Sequence, residues 1–146
     1  MRYLFLMVLL FLSSCNQQKD PKHLVKEFVT ASFDHNLGNE VLKKYLTEDF
    51  FNKITQSEEL NKQKINADLV SYSMVQSSCE EAKCSVMYVI IFDQKDADKK
   101  SRVEVKKQAQ LVKVEDQWLI SDVQNLKTFI EVKEPCLLYT SDAADE

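Results

Sequence analysis

Val114-Glu115-Asp116-Gln117-Trp118-Leu119-Ile120 reads as two strand ends joined by a two-residue turn. Upstream, Arg102 to Glu115 places Val103, Val105, Ala109 and Leu111 on one face, then changes face to Val112 and Val114. A slip of one residue in a long strand predicts a β-bulge near Leu111, and bulges bend sheets. Downstream, Trp118 and Ile120 open a strand, Asp122 to Asn125 forms a polar break, and Thr128 to Val132 resumes the strand pattern. Two earlier segments complete the sheet. Leu69 to Ser78 puts Val70, Tyr72 and Met74 on one face, and Val86 to Phe92 is apolar on both faces, as suits a central strand.

The residues before the sheet follow helical spacing. Asp20-Pro21 offers an N-cap acceptor and a proline at the first helical position. Leu24, Val25, Phe28, Val29 and Phe33 then recur on one face, and Gly38 predicts a left-handed end between His35 and Gly38. A second helix is expected after Asn39 with Val41, Leu42, Tyr45 and Leu46 inward. A third is expected after the cap Thr47, with Phe50, Phe51 and Ile54 inward. Ser57 to Asn66 is polar and reads as an exposed helix or loop. Helices first and an antiparallel meander after them give an α+β class: N-terminal helices on a curved four-stranded antiparallel sheet.

Leu24 to Phe33, Tyr45 to Phe50 and Val114 to Ile120 together resemble the cone fold of nuclear transport factor 2-like (SnoaL-like) domains, with Gln117 where that family commonly has glycine. A cystatin-like sheet has the same order of elements. The cone resemblance implies a cavity between helices and sheet, for which Tyr45, Phe50, Tyr72, Tyr88 and Trp118 are the candidate lining residues; such aromatics also serve as plain core. Cone-fold enzymes of the isomerase and dehydratase type use a pocket Asp or His for proton transfer. By that resemblance Asp122 is the candidate acid or base, sharing a face with Trp118 and Ile120 if the strand is regular; a strand break would turn it to solvent.

The N-terminus speaks to location. Arg2 precedes the unbroken apolar run Leu4 to Leu12, the length of a signal h-region and too short for the roughly 20 residues of a membrane span. Leu12-Ser13-Ser14-Cys15 resembles the lipobox of bacterial lipoproteins. That resemblance implies removal of residues 1–14 and lipid on the sulfur and amine of Cys15, against the alternatives of plain secretion or a retained span. Residues 15–20 are then a tether reaching at most about 20 Å. Asn16 is not the aspartate of inner-membrane retention, so the resemblance favours the outer membrane. At the other end, residues 136–146 resemble the translation of a sequencing-library adaptor and are expected to be foreign. Residues 21–135 remain as one domain.

Composition narrows the chemistry. The full chain carries −4; losing Arg2 with the signal and Asp142, Asp145 and Glu146 with the tail brings residues 15–135 to −2. So small a net charge argues against a nucleic-acid partner. Cys79 and Cys84 flank Glu80-Glu81-Ala82-Lys83 between two strands and are expected to form a structural disulfide in an oxidising compartment. A closed zinc site needs four ligands, and His23 and His35 lie too far apart along a helix to supply them, so neither metal nor cofactor is expected. The run Asp93 to Ser101 reads as a solvated loop. The functional expectation is a non-catalytic, membrane-anchored domain binding a small apolar ligand or an envelope protein. A cone-fold enzyme using Asp122 and a purely structural docking lipoprotein are the alternatives.

Overall fold

The computed structural model describes residues 20–57, 67–96 and 99–133. The signal-like segment, Cys15 and its tether up to Lys19, nearly all of the polar Ser57–Asn66 stretch and the tail 136–146 lie outside the described residues.

Helix α1 spans Pro21–Ser32 and starts as its sequence dictates: the Asp20 carboxylate accepts from the Lys22 N–H at 3.1 Å, and Pro21 stands where no N–H is needed. It buries Leu24, Val25, Phe28 and Val29. Its end departs from expectation. The helix stops at Ser32, with the Ser32 hydroxyl donating to the Val29 carbonyl and the Phe33 N–H to that of Thr30. Gly38 has an extended backbone, φ −67°, and supplies no left-handed cap.

The expected second helix is a 3-10 helix, Asn39–Tyr45, burying Leu42 and Tyr45 at the spacing of three that such a helix repeats. Helix α2 spans Glu48–Gln56; the Thr47 hydroxyl accepts from the Phe50 N–H at 3.4 Å, and Phe50 and Phe51 are buried. An isolated parallel bridge, Leu46 to Ile120, and a 2.9 Å bond from the Thr47 N–H to the Ile120 carbonyl tie this start to the sheet.

The strands β1 (Ala67–Cys79), β2 (Lys83–Asp96), β3 (Lys99–Val114) and β4 (Gln117–Lys133) form an antiparallel meander in the order β1-β2-β3-β4. This is the α+β arrangement expected, with β2 internal. On β2, Val86, Tyr88, Ile90 and Phe92 are buried, and on β3 so are Val103, Val105, Ala109 and Leu111. Phe28 meets Tyr45 at 6.3 Å between ring centroids, and Phe33 meets Phe92 at 5.4 Å, so α1 closes over this face.

Four register shifts bend the sheet, and they revise the strand readings. β3 keeps its odd-numbered residues inward throughout, and Val114 is exposed. The shift at the level of Leu111 belongs to β4, where Ser121 is the extra residue; Leu126 is the second. The polar break at Asp122–Asn125 is therefore no break. β4 runs through it because each bulge absorbs one residue and returns the apolar side chains to the inner face. On β1, Val70 and Val75 are the extra residues, which puts Val70 out to 49% exposure. Tyr72 and Met74 pair with Ile90 and Tyr88, but Met74, on an edge strand, stays exposed. The Asp93–Ser101 run is mostly strand rather than loop: Asp93 pairs with Arg102, whose guanidinium donates to both carboxylate oxygens at 2.8 and 3.0 Å. Residues 97 and 98 are not described.

The Cys79–Cys84 disulfide is present, joining directly opposed residues at the β1–β2 turn. The neighbouring Glu80 N–H donates to the Lys83 carbonyl at 2.8 Å.

At the β3–β4 turn, Glu115 and Asp116 both have positive φ, 47° and 63°. Val114 pairs with Gln117, making a two-residue hairpin of type I′, which matches strand twist but favours Asn-Gly. Side chains at two left-handed positions cost free energy. Replacing Glu115-Asp116 by Asn-Gly is expected to raise unfolding stability by about 1 kcal/mol in urea melts; an unchanged midpoint would count against strain at this turn.

Candidate ligand-binding site

Between α1, α2 and the inner face of the sheet lies a cavity of about 530 Å³, within the size range of small-molecule sites. Phe28 and Val29 of α1, Phe33 just after it, and Phe50 and Ile54 of α2 form one wall. Tyr88, Ile90, Phe92, Val103 and Val105 form the floor, and β4 closes the side with Val123, Asn125, Thr128 and Ile130. Local sequence explains the floor: alternation on β2 and β3 sends a contiguous apolar patch inward.

Of the aromatic candidates, Phe50 and Tyr88 line the cavity. The other three sit elsewhere. Tyr45 is buried against Phe28, Trp118 is buried at the start of β4, and Tyr72 stacks on Tyr88 with centroids 5.5 Å apart. The buried Tyr72 hydroxyl has no hydrogen-bond partner among the described residues. Burial pushes the Tyr72 and Tyr88 phenols above their ordinary pKa. An unsatisfied buried hydroxyl costs more than it returns, so Tyr72→Phe is expected to stabilise the fold by about 1 kcal/mol. Chemical denaturation measures this, and a loss of stability would mean that the hydroxyl has a partner.

Asp122 lines the cavity, though not as a regular strand residue: it follows the bulged Ser121. It stands at the rim, 31% exposed, with Lys53 Nζ at 3.7 Å and the Gln124 amide donating to it at 3.0 Å. Lys53 is 74% exposed, so the ion pair is a surface contact of small energetic weight.

One lining residue escaped the sequence reading. Lys107 lies among the inward residues of β3, between Val105 and Ala109, flanked in register by Tyr88 on β2 and Asn125 on β4. It makes no ion pair or hydrogen bond among the described residues. Desolvation lowers its pKa below that of an ordinary lysine. The alternation Val103, Val105, Lys107, Ala109, Leu111 was the signal that could have found it. Among the described residues no group of three or more His, Cys, Asp or Glu is placed to hold a metal ion.

No curated protein matches the chain. Among solved structures it is similar to a SEC-C motif containing protein from Rhodopseudomonas palustris, with 11% identity, TM-score 0.59, and coverage of 73% of this chain and 79% of that one. It is also similar to a protein from Campylobacter jejuni described as an NTF2-like transpeptidase, with 15% identity, TM-score 0.51, and coverage of 71% and 99%. At such identities the likeness concerns the fold, which is NTF2-like. Residues 15–131 match the model of the lipoprotein LpqB N-terminal domain, and the chain belongs to that family.

Proposed function

We propose that this protein is an envelope lipoprotein, anchored through lipid on Cys15, whose domain binds a small apolar ligand without catalysing a reaction on it. The LpqB family supports the cell envelope. The lipobox-like Leu12 to Cys15 supports the anchor, and Asn16 favours the outer membrane over the inner. The observation that carries ligand binding is the 530 Å³ cavity with its predominantly apolar wall and floor. An envelope protein docked on the domain is the alternative partner.

Equilibrium dialysis tests the pocket. Mature lipidated protein in nanodiscs should retain decanol beyond empty discs of the same lipid, and Val105→Trp, which fills the floor, should remove that excess. Equal retention by protein-bearing and empty discs would refute the ligand reading.

Asp122 at the rim favours a second reading, an acid or base acting on a ligand in the cavity. Its carboxylate pairs with the exposed Lys53 at 3.7 Å and accepts from the Gln124 amide at 3.0 Å.

A further inference from the structure

We propose that the cavity takes an amphipathic anion, its acidic head held by Lys107 and its apolar part laid between Phe28, Ile54, Ile90 and Val105. This deepens the ligand-pocket reading and rests on it.

A lysine in the middle of an apolar sheet face needs a reason. Its register neighbours are Tyr88 and Asn125, both neutral, so neither supplies a counter-charge. Among the described residues the one carboxylate lining the cavity, Asp122, is engaged by Lys53 at the rim. Lys107 is thus a donor with three N–H groups, unpartnered among the described residues and facing a cavity large enough for a small molecule. Burial already disfavours its charged form. A ligand anion would restore what burial removed, through charge-assisted hydrogen bonds in a low-dielectric site. Tyr88 and Asn125 stand to either side and could add donors to the same head group. A neutral alcohol of the same chain length would leave the ammonium without a counter-charge and gain only the apolar contacts.

The chemistry admits a carboxylate or a phosphate head, and the probes separate them. Decanoate, decyl phosphate and decanol are dialysed against the mature lipidated protein in nanodiscs, with empty discs as the blank. The wild type should hold at least one of the two anions about tenfold more tightly than decanol, since hydrogen bonds to a charged partner carry that much. Lys107→Met, matched in length and apolar, should lose the preference for the anion while retaining decanol. Lys107→Arg, which keeps the charge, should retain the preference. Equal binding of anion and alcohol by the wild type, or an anion preference that survives Lys107→Met, would overturn the assignment and leave the apolar pocket standing. No binding of any probe above the blank would overturn the pocket itself, and the anion site with it.

Discussion

Trp118→Ala is expected to lower the free energy of unfolding by about 3–5 kcal/mol, the range for removing a large buried aromatic. Trp118 is only 9% exposed, begins β4 next to the turn at Glu115-Asp116, and precedes Ile120, which is fully buried opposite Leu111. Removing the indole from this buried position leaves a void whose lining loses contacts. Domains of this size hold about 5–15 kcal/mol in total. The variant should therefore unfold at a much lower urea concentration, with an unchanged denaturant slope. Trp118 does not line the cavity, so decanol retention per folded molecule should match the wild type. A small change in midpoint combined with lost decanol binding would reverse the assignment, making Trp118 part of the pocket and not of the core.

Cys15→Ala should move the protein from the membrane fraction to the soluble or unprocessed fraction almost completely. The reasoning is physical. Each buried methylene of a lipid chain contributes about 0.8 kcal/mol, and stable anchoring takes more than one chain. With the thiol gone, neither the sulfur-linked lipid nor the processing that depends on it is available. Among the described residues no helix is long and apolar enough to cross a membrane, so the domain provides no helical span of its own. Labelling with a radioactive fatty acid, read alongside fractionation, separates a processed protein from a precursor held by its uncleaved apolar segment. Label on the Cys15→Ala protein would contradict anchoring at this residue.

Sequence alone reached the class and order of the elements, because period is a local property. Leu24, Val25, Phe28 and Val29 recur as a helix must, and Asp20 and Thr47 cap where their side chains can accept. Strand faces were harder. The inner face of β4 depends on Ser121 and Leu126, which are extra only with respect to β3, and pairing between strands is not a local property. The same holds for Val70 on β1. Reading β4 as regular produced a polar break that the bulges remove. The helix after Gly38 went to 3-10 geometry because Leu42 and Tyr45 must both reach the core within seven residues that end on the Leu46–Ile120 bridge. Aromatic content located the cavity only in part. Phe50 and Tyr88 belong to it, whereas Tyr45 packs against Phe28 and Trp118 is buried at the start of β4. Lys107 was legible in principle, since the alternation that selected Val105 and Ala109 also selects the residue between them. A search for apolar faces passes over such a lysine, although its charge is what makes it informative.

What the cavity binds decides whether this protein is a ligand carrier. The measurement that tests this most directly is organic extraction and mass spectrometry of the mature protein purified from its own membranes, with Val105→Trp purified in parallel. The expected result is an amphipathic molecule bound to the wild type in near one-to-one proportion and depleted from the variant. The same lipids in the same amounts from both proteins would contradict it.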